Sequence, residues 1–134
     1  MNRITIPSLE PYARSLLRIF AGFTFALHGA QKLVGLFGGV GASGATAKFL
    51  TLTWVAGVLE GFGGLLILLG LLTSPVACVL SGEMAVAYFM RHFPRGFWPI
   101  RNGGELAVLY CFIFLYLFTA GGGPWSTDRL FRGK

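Results

Sequence analysis

The chain has 134 residues, of which 54% are hydrophobic and only 12% charged, and its mean hydropathy is +0.69. A soluble domain of this length carries about 25% charged residues, so the composition excludes an ordinary water-soluble domain and fits an integral membrane protein. The net charge of +6 is spread along the chain, which excludes a nucleic-acid site and suits anionic headgroups at the edges of a lipid bilayer.

A hydrocarbon core about 30 Å thick requires about 20 mostly apolar residues per helix. Four stretches, roughly 13–34, 52–72, 75–93 and 104–121, meet that requirement. They predict an all-α polytopic membrane protein, a four-transmembrane-helix bundle making one domain of residues 1–134.

Residues 1–12 form a short polar lead with Pro7 and Pro11, placed at the interface. The first apolar stretch is interrupted by His28 and Lys32 and is followed by no small-x-small cleavage site, so it reads as the first span rather than a cleaved signal. At 100° per residue, Arg14, Arg18, His28 and Lys32 fall within an arc of about 80°, a polar stripe that must face protein or water. Segment 35–51, rich in Gly and Ala, is either a flexible loop or a shallow re-entrant piece.

In the second helix Glu60 is surrounded by Gly57, Gly61, Gly63 and Gly64. Small residues at that spacing let neighbouring helices approach closely, which points Glu60 inward. Thr73, Ser74 and Pro75 predict a tight turn with Pro75 in the first turn of helix three, so helices two and three form a hairpin. Segment 91–103 mixes arginines with Phe97 and Trp98 and reads as an interfacial belt. On helix four the face of Glu105 continues through Phe112 and Tyr116, an aromatic wall and a hydroxyl further down the same cavity. The tail leaves at a glycine run, where Ser126 or Asp128 caps a short turn. Cys78 and Cys111 lie on different helices with no CxxC, and read as small core residues.

Depth gathers the polar groups. At 1.5 Å per residue, His28 lies about 9 Å, Glu60 about 12 Å and Glu83 about 10–15 Å below the same membrane surface. Lys32 and Glu105 lie nearer that surface, with Arg101 just outside. A charge at a helix centre costs about 2.5–3.5 kcal/mol on insertion scales, while each Leu, Ile, Val or Phe returns about 0.3–0.6. Helix two can therefore insert, but its carboxylate still needs a partner or a proton. His28, Lys32, Glu60, Glu83 and Glu105 form the candidate ligand or proton site, with Arg18, Arg101, Tyr116 and Asp128 in support. His28, Glu60 and Glu83 have a composition that some metals accept, but no ExxH or HxxxH spacing accompanies them and no metal is expected. Four spans put both chain ends on one side, where Arg3, Arg14, Arg18, Arg129, Arg132 and Lys134 outnumber Lys32, Lys48, Arg91, Arg95 and Arg101 by one. The positive-inside rule then favours cytoplasmic termini.

These positions carry a family resemblance. Arg18, Gly22, Phe25, His28, Gly29, Lys32 and Leu33 resemble the first-helix pattern of the DoxX family of small four-helix membrane proteins. Gly57, Glu60, Gly63 and Gly64 resemble its GxxExxGG, Gly104 and Glu105 its GGE, and Gly121, Gly123, Ser126 and Asp128 its closing GxGxxSxD. The resemblance implies a prokaryotic inner-membrane protein and a membrane subunit of an oxidoreductase or quinone-linked redox system, since members are named for subunits resembling those of a thiosulfate:quinone oxidoreductase. The chain has no haem or flavin signature and no self-contained catalytic motif. Any redox cofactor would be a diffusible quinone or belong to a partner enzyme subunit. Two alternatives stand beside that reading: a small proton-coupled transporter or channel working as a homo-oligomer, and a non-catalytic membrane anchor or assembly factor.

Overall fold

The computed structural model describes residues 6–133; Arg3 and Lys134, counted above toward orientation, lie outside the described residues. The described chain is helical, and an isolated bridge between Val40 and Ala45 is its sole β pairing. Four long helices form a bundle: α1 (Glu10–Val34), α2 (Leu52–Leu69), α3 (Thr73–Ala87) and, after the one-turn α4 (Pro99–Asn102), α5 (Glu105–Ala120). A short α6 (Thr127–Arg132) follows.

Helix limits follow from glycines and caps. α1 starts with Pro11 in its first turn and stops at Gly35, whose φ of 76° is the left-handed conformation that ends helices. Thr51 opens α2 by accepting a hydrogen bond from the Trp54 N–H at 3.3 Å. α2 ends at Leu69 rather than at residue 72, because Gly70 and Leu72 both take positive φ (69° and 52°) and reverse the chain there. The turn is thus 70–72, and Thr73 and Ser74 already belong to α3, with Pro75 in its first turn as expected. Beyond Ala87 the rod continues through a wide π-turn at Tyr88–His92 and a 3₁₀ turn at Phe93–Arg95. The 35–51 segment is a turn-rich loop, tied to the end of α1 by Ala47 N–H donating to the Lys32 carbonyl at 2.7 Å.

α1 packs on α2 and α3 on α5, while the tight 70–72 turn joins the two pairs as a hairpin of α2 and α3. Glycines set the first of these contacts. A Cβ at Gly22 would stand 2.8 Å from the Gly64 carbonyl oxygen, and one at Gly29 would stand 2.8 Å from that of Gly57, so the two backbones touch along three turns. The core between the pairs holds Phe25, Ile67, Leu80, Met84, Phe114 and Leu117, with Phe25 meeting Phe114 edge-on at 4.8 Å. The outside of the bundle is apolar: Phe62, Leu69, Val79, Val86, Leu109 and Phe112 are all more than half exposed. Cys78 joins this outer surface, contrary to its reading as a core residue, because its neighbour Ala77 takes the inward position on α3. Cys111 is half-buried, and its carbonyl accepts from Ser81 Oγ at 2.8 Å.

Two helical segments, Leu52–Leu69 and Thr73–Arg95, are long and apolar enough to cross a membrane. α5 is apolar but has 16 residues, and α1 has 25 residues interrupted by Glu10, Arg14, Arg18, His28 and Lys32.

Candidate functional site

The close contact of α1 and α2 determines the site. Gly57 lies one turn before Glu60, and a Cβ there would meet Lys32 Cβ at 3.0 Å and the Leu33 side chain at 3.1 Å. Its absence lets Lys32 lie against α2, where its Nζ forms an ion pair with Glu60 Oε2. The Glu60 side chain is 6% exposed and that of Lys32 21%, so the pair is largely withdrawn from solvent and neither charge could be buried alone.

The pair lies on the wall of a cavity of about 720 Å³ between the four long helices. His28 and Glu83 line the same cavity. The two carboxyl oxygens of Glu83 are buried and accept no hydrogen bond from a described residue. His28 stands edge-on to Tyr110, ring centroids 6.1 Å apart, and the Tyr110 hydroxyl donates to Thr24 Oγ1 at 2.6 Å. Phe25, Leu59 and Met84 supply the inner apolar wall, while the exposed Val79, Val86 and Leu106 border the side on which the cavity opens to the outer surface. Towards the end that carries the α1–α2 loop, the lining becomes Thr53, Arg91, His92 and Arg95, with Arg91 Nη2 donating to Thr53 Oγ1 at 3.0 Å. A cavity of this size, apolar with a few convergent polar groups, is the usual form of a small-molecule site.

Four of the expected site residues are thus brought together, His28, Lys32, Glu60 and Glu83, and five, Glu105, Arg101, Tyr116, Arg18 and Asp128, are not. Glu105 is exposed in the first turn of α5 and faces a separate open depression with Pro99, Ile100 and Leu109. A carboxylate there suits the positive end of the helix dipole. Tyr116 is on the outer surface, its hydroxyl donating to Glu10 Oε1 at 2.6 Å at the opposite end of the bundle. Phe112, on the same face, is 63% exposed. The expectation that Glu105, Phe112 and Tyr116 face the cavity therefore fails, because α5 turns its Ala107, Tyr110, Phe114 and Leu117 face inward. Those four positions recur at three- and four-residue spacing, and that pattern was the available signal for Tyr110. Arg101, on α4, is also exposed and does not line the cavity.

Arg18 belongs to a second polar centre at the far end. It is fully buried, and its guanidinium donates to the carbonyls of Ile67 (2.7 Å), Leu68 (2.5 Å), Gly122 (2.7 Å) and Trp125 (2.6 Å). The polar stripe of α1 accordingly divides: Arg14 and Arg18 serve this end, His28 and Lys32 the cavity. The tail folds around the arginine. Ser126 caps α6 through Arg129 N–H, and Gly70 leaves no room for a side chain because a Cβ would stand 2.5 Å from Ser126 Cβ and 2.8 Å from its Cα. Asp128 caps α3 rather than its own helix, accepting from Leu72 N–H at 2.7 Å and Thr73 N–H at 2.8 Å.

Partial burial pulls the Asp128 carboxyl upward, but the Thr73 and Leu72 N–H groups and the Arg132 charge outweigh it, and its pKa falls below the ordinary 3.8. A lowered folded-state pKa means that the cap's contribution is complete above the unfolded value and disappears as pH falls through the folded one. The thermal midpoint of the detergent-purified protein should therefore drop on acidification below about pH 4. Asp128→Asn should start lower at neutral pH and lose less between pH 5 and pH 3; parallel profiles for the two proteins would overturn the assignment.

Fold and site together define a small helical bundle with a polar-ended internal cavity between its two helix pairs. The DoxX family model matches residues 13–93, which contain α1 from its fourth residue on, all of α2 and α3, and all four clustered polar residues. An uncharacterized protein of Haemophilus influenzae is 43% identical over 132 residues, covering 93% of this chain and 95% of that protein. The chain belongs to the DoxX family, a membrane-associated family. No solved structure matches it. The GGE at Gly104 and Glu105 and the closing pattern from Gly121 to Asp128 lie beyond the stretch matched by the family model.

Proposed function

We propose that this chain is a four-span protein of the prokaryotic inner membrane, with cytoplasmic termini, that serves as the membrane subunit of a quinone-linked redox system. Support for four spans comes from where α1 keeps its charges. Arg18 is buried, Lys32 is paired and His28 lines the cavity, so the residues that lower its hydropathy are turned away from lipid. All four long helices, moreover, present large apolar side chains outward.

The observation that carries the redox reading is the juxtaposition, in one mostly apolar cavity, of the Lys32–Glu60 ion pair, His28 and the unpartnered Glu83 carboxyl. Reduction of a quinone to a quinol consumes two electrons and two protons. Electrons would come from the redox group of a partner enzyme subunit. Lys32 would direct an N–H toward a ring oxygen while Glu60 holds the ammonium in place. His28 and Glu83, which no described hydrogen bond occupies, would carry the protons between ring oxygens and water at the arginine end of the cavity.

Titration of the purified protein with 2-methyl-1,4-naphthoquinone tests this reading. His28→Ala and Glu60→Gln should each weaken binding by about tenfold, the equivalent of about 1.4 kcal/mol. Unchanged affinity in both variants would overturn it. Proton flux through proteoliposomes that Glu83→Gln abolishes would instead favour proton-coupled transport, which the same unpartnered carboxyl would serve.

A further inference from the structure

The charges lining the cavity do not cancel along its length. Two ion pairs are present among the described residues, Arg14 with Glu10 and Lys32 with Glu60. Arg91 and Arg95, which line the loop end of the cavity, are exposed and have no acidic partner. The remaining acid of the cavity, Glu83, precedes Arg91 on the α3 rod by eight residues, about 12 Å. Thr53, to which Arg91 donates, precedes Glu60 on α2 by seven residues, about 10 Å. The cavity thus has a carboxylate-rich deep end and, 10–12 Å away by helical rise, a purely cationic rim.

This rim lies beyond the regular part of the α3 rod. In a regular helix Arg95 would point about 120° away from Glu83. The π-turn at Tyr88–His92 and the 3₁₀ turn at Phe93–Arg95 break that phase, and Arg95 lines the same cavity as Glu83. Wide turns of this kind recur at functional sites because they re-aim side chains without breaking the helix.

We propose that the natural ligand is a ring compound with an anionic substituent. The ring sits among the apolar walls with its polar atoms at His28, Lys32, Glu60 and Glu83, and a carboxylate, sulfonate or phosphate on a short arm lies between Arg91 and Arg95. Guanidinium groups suit such anions because their donors match two oxygens at once. An anionic phospholipid offers the same pairing of an anion with an apolar body, but its acyl chain would place no polar atom at the four-residue deep end. This proposal rests on the ring-binding reading above and adds the anion to it.

The test compares 6-(3-methyl-1,4-naphthoquinon-2-yl)hexanoate with its methyl ester, titrated calorimetrically into the protein in phosphatidylcholine nanodiscs. The carboxylate should bind about tenfold more tightly than the ester at low salt, by one charge-assisted contact, and the advantage should shrink as salt is added. Arg91→Gln/Arg95→Gln should erase the advantage while leaving ester affinity unchanged, which also shows that the variant is folded. Equal affinity for acid and ester in the native protein would overturn the proposal and leave the ring-binding reading intact. If neither compound binds, both readings are overturned. Loss of the carboxylate's advantage when phosphatidylglycerol replaces part of the lipid would assign the rim to headgroups, and would likewise overturn it.

Discussion

Replacing Arg18 with methionine is expected to prevent the protein from being recovered as a folded species, the largest effect of any single substitution considered for this chain. Four carbonyl oxygens converge on the guanidinium, from the end of α2 and from the 121–126 segment. They belong to separate parts of the chain, so the arginine is the shared donor that holds α1, the α2–α3 turn and the tail together. Each buried carbonyl left without a donor costs about 1–3 kcal/mol, and a net loss of about 4 kcal/mol or more is a large part of the 5–15 kcal/mol by which folded proteins are stable. The carbonyls at the end of α2 also carry the negative end of its dipole, which the cation offsets. Arg18→Lys keeps the charge but cannot reach four acceptors with one ammonium, and should be intermediate. Size-exclusion profiles and thermal midpoints in mild detergent would measure both. A monodisperse Arg18→Met protein with a near-native midpoint would refute the central role given to this residue.

The second large effect concerns the cavity pair. Lys32→Met leaves the nearly buried Glu60 carboxylate without its counter-charge, and should destabilise the protein by about 3–5 kcal/mol. Lys32→Met/Glu60→Met removes both charges together and should regain most of that loss, because two buried charges replaced by apolar groups of similar size are often neutral or better. If the pair exists for ligand recognition, the double variant will be stable and yet bind naphthoquinone at least about tenfold more weakly than the native protein. Recovery of binding along with stability would identify the pair as a structural tie between α1 and α2. A double variant no more stable than Lys32→Met would show that the ammonium supports the fold through something other than Glu60.

Much of the bundle was legible from residue order. The four long helices fall within a few residues of the apolar stretches, and the discrepancies sit at Gly70 and Leu72, where positive φ reverses the chain earlier than composition suggests. His28, Glu60 and Glu83 share a depth, with Lys32 nearer the surface, and the fold brings all four to one cavity. Glu105, expected at the level of Lys32, is nonetheless outside. Tyr116 and Phe112 were misplaced with it, since all three follow one face of α5 and that face turned out to be the outer one.

Depth along a helix is a property of the chain itself. It follows from a fixed rise per residue and from the length of apolar segment that a bilayer accepts, which is why the helices, the pairing of the second and third as a hairpin and the level of the buried acids could be read without a structure. Direction around a helix is decided by what packs against it. Both faces of α5 are apolar, so composition alone does not distinguish inside from outside, and the inward face is the one whose Tyr110 and Phe114 pack on Phe25 of α1. Only tertiary structure could show that Arg18 spends its donors on carbonyls remote in sequence, and that Arg95, beyond the irregular turns after Ala87, lines the cavity. Both depend on contacts between distant segments, which residue order does not contain.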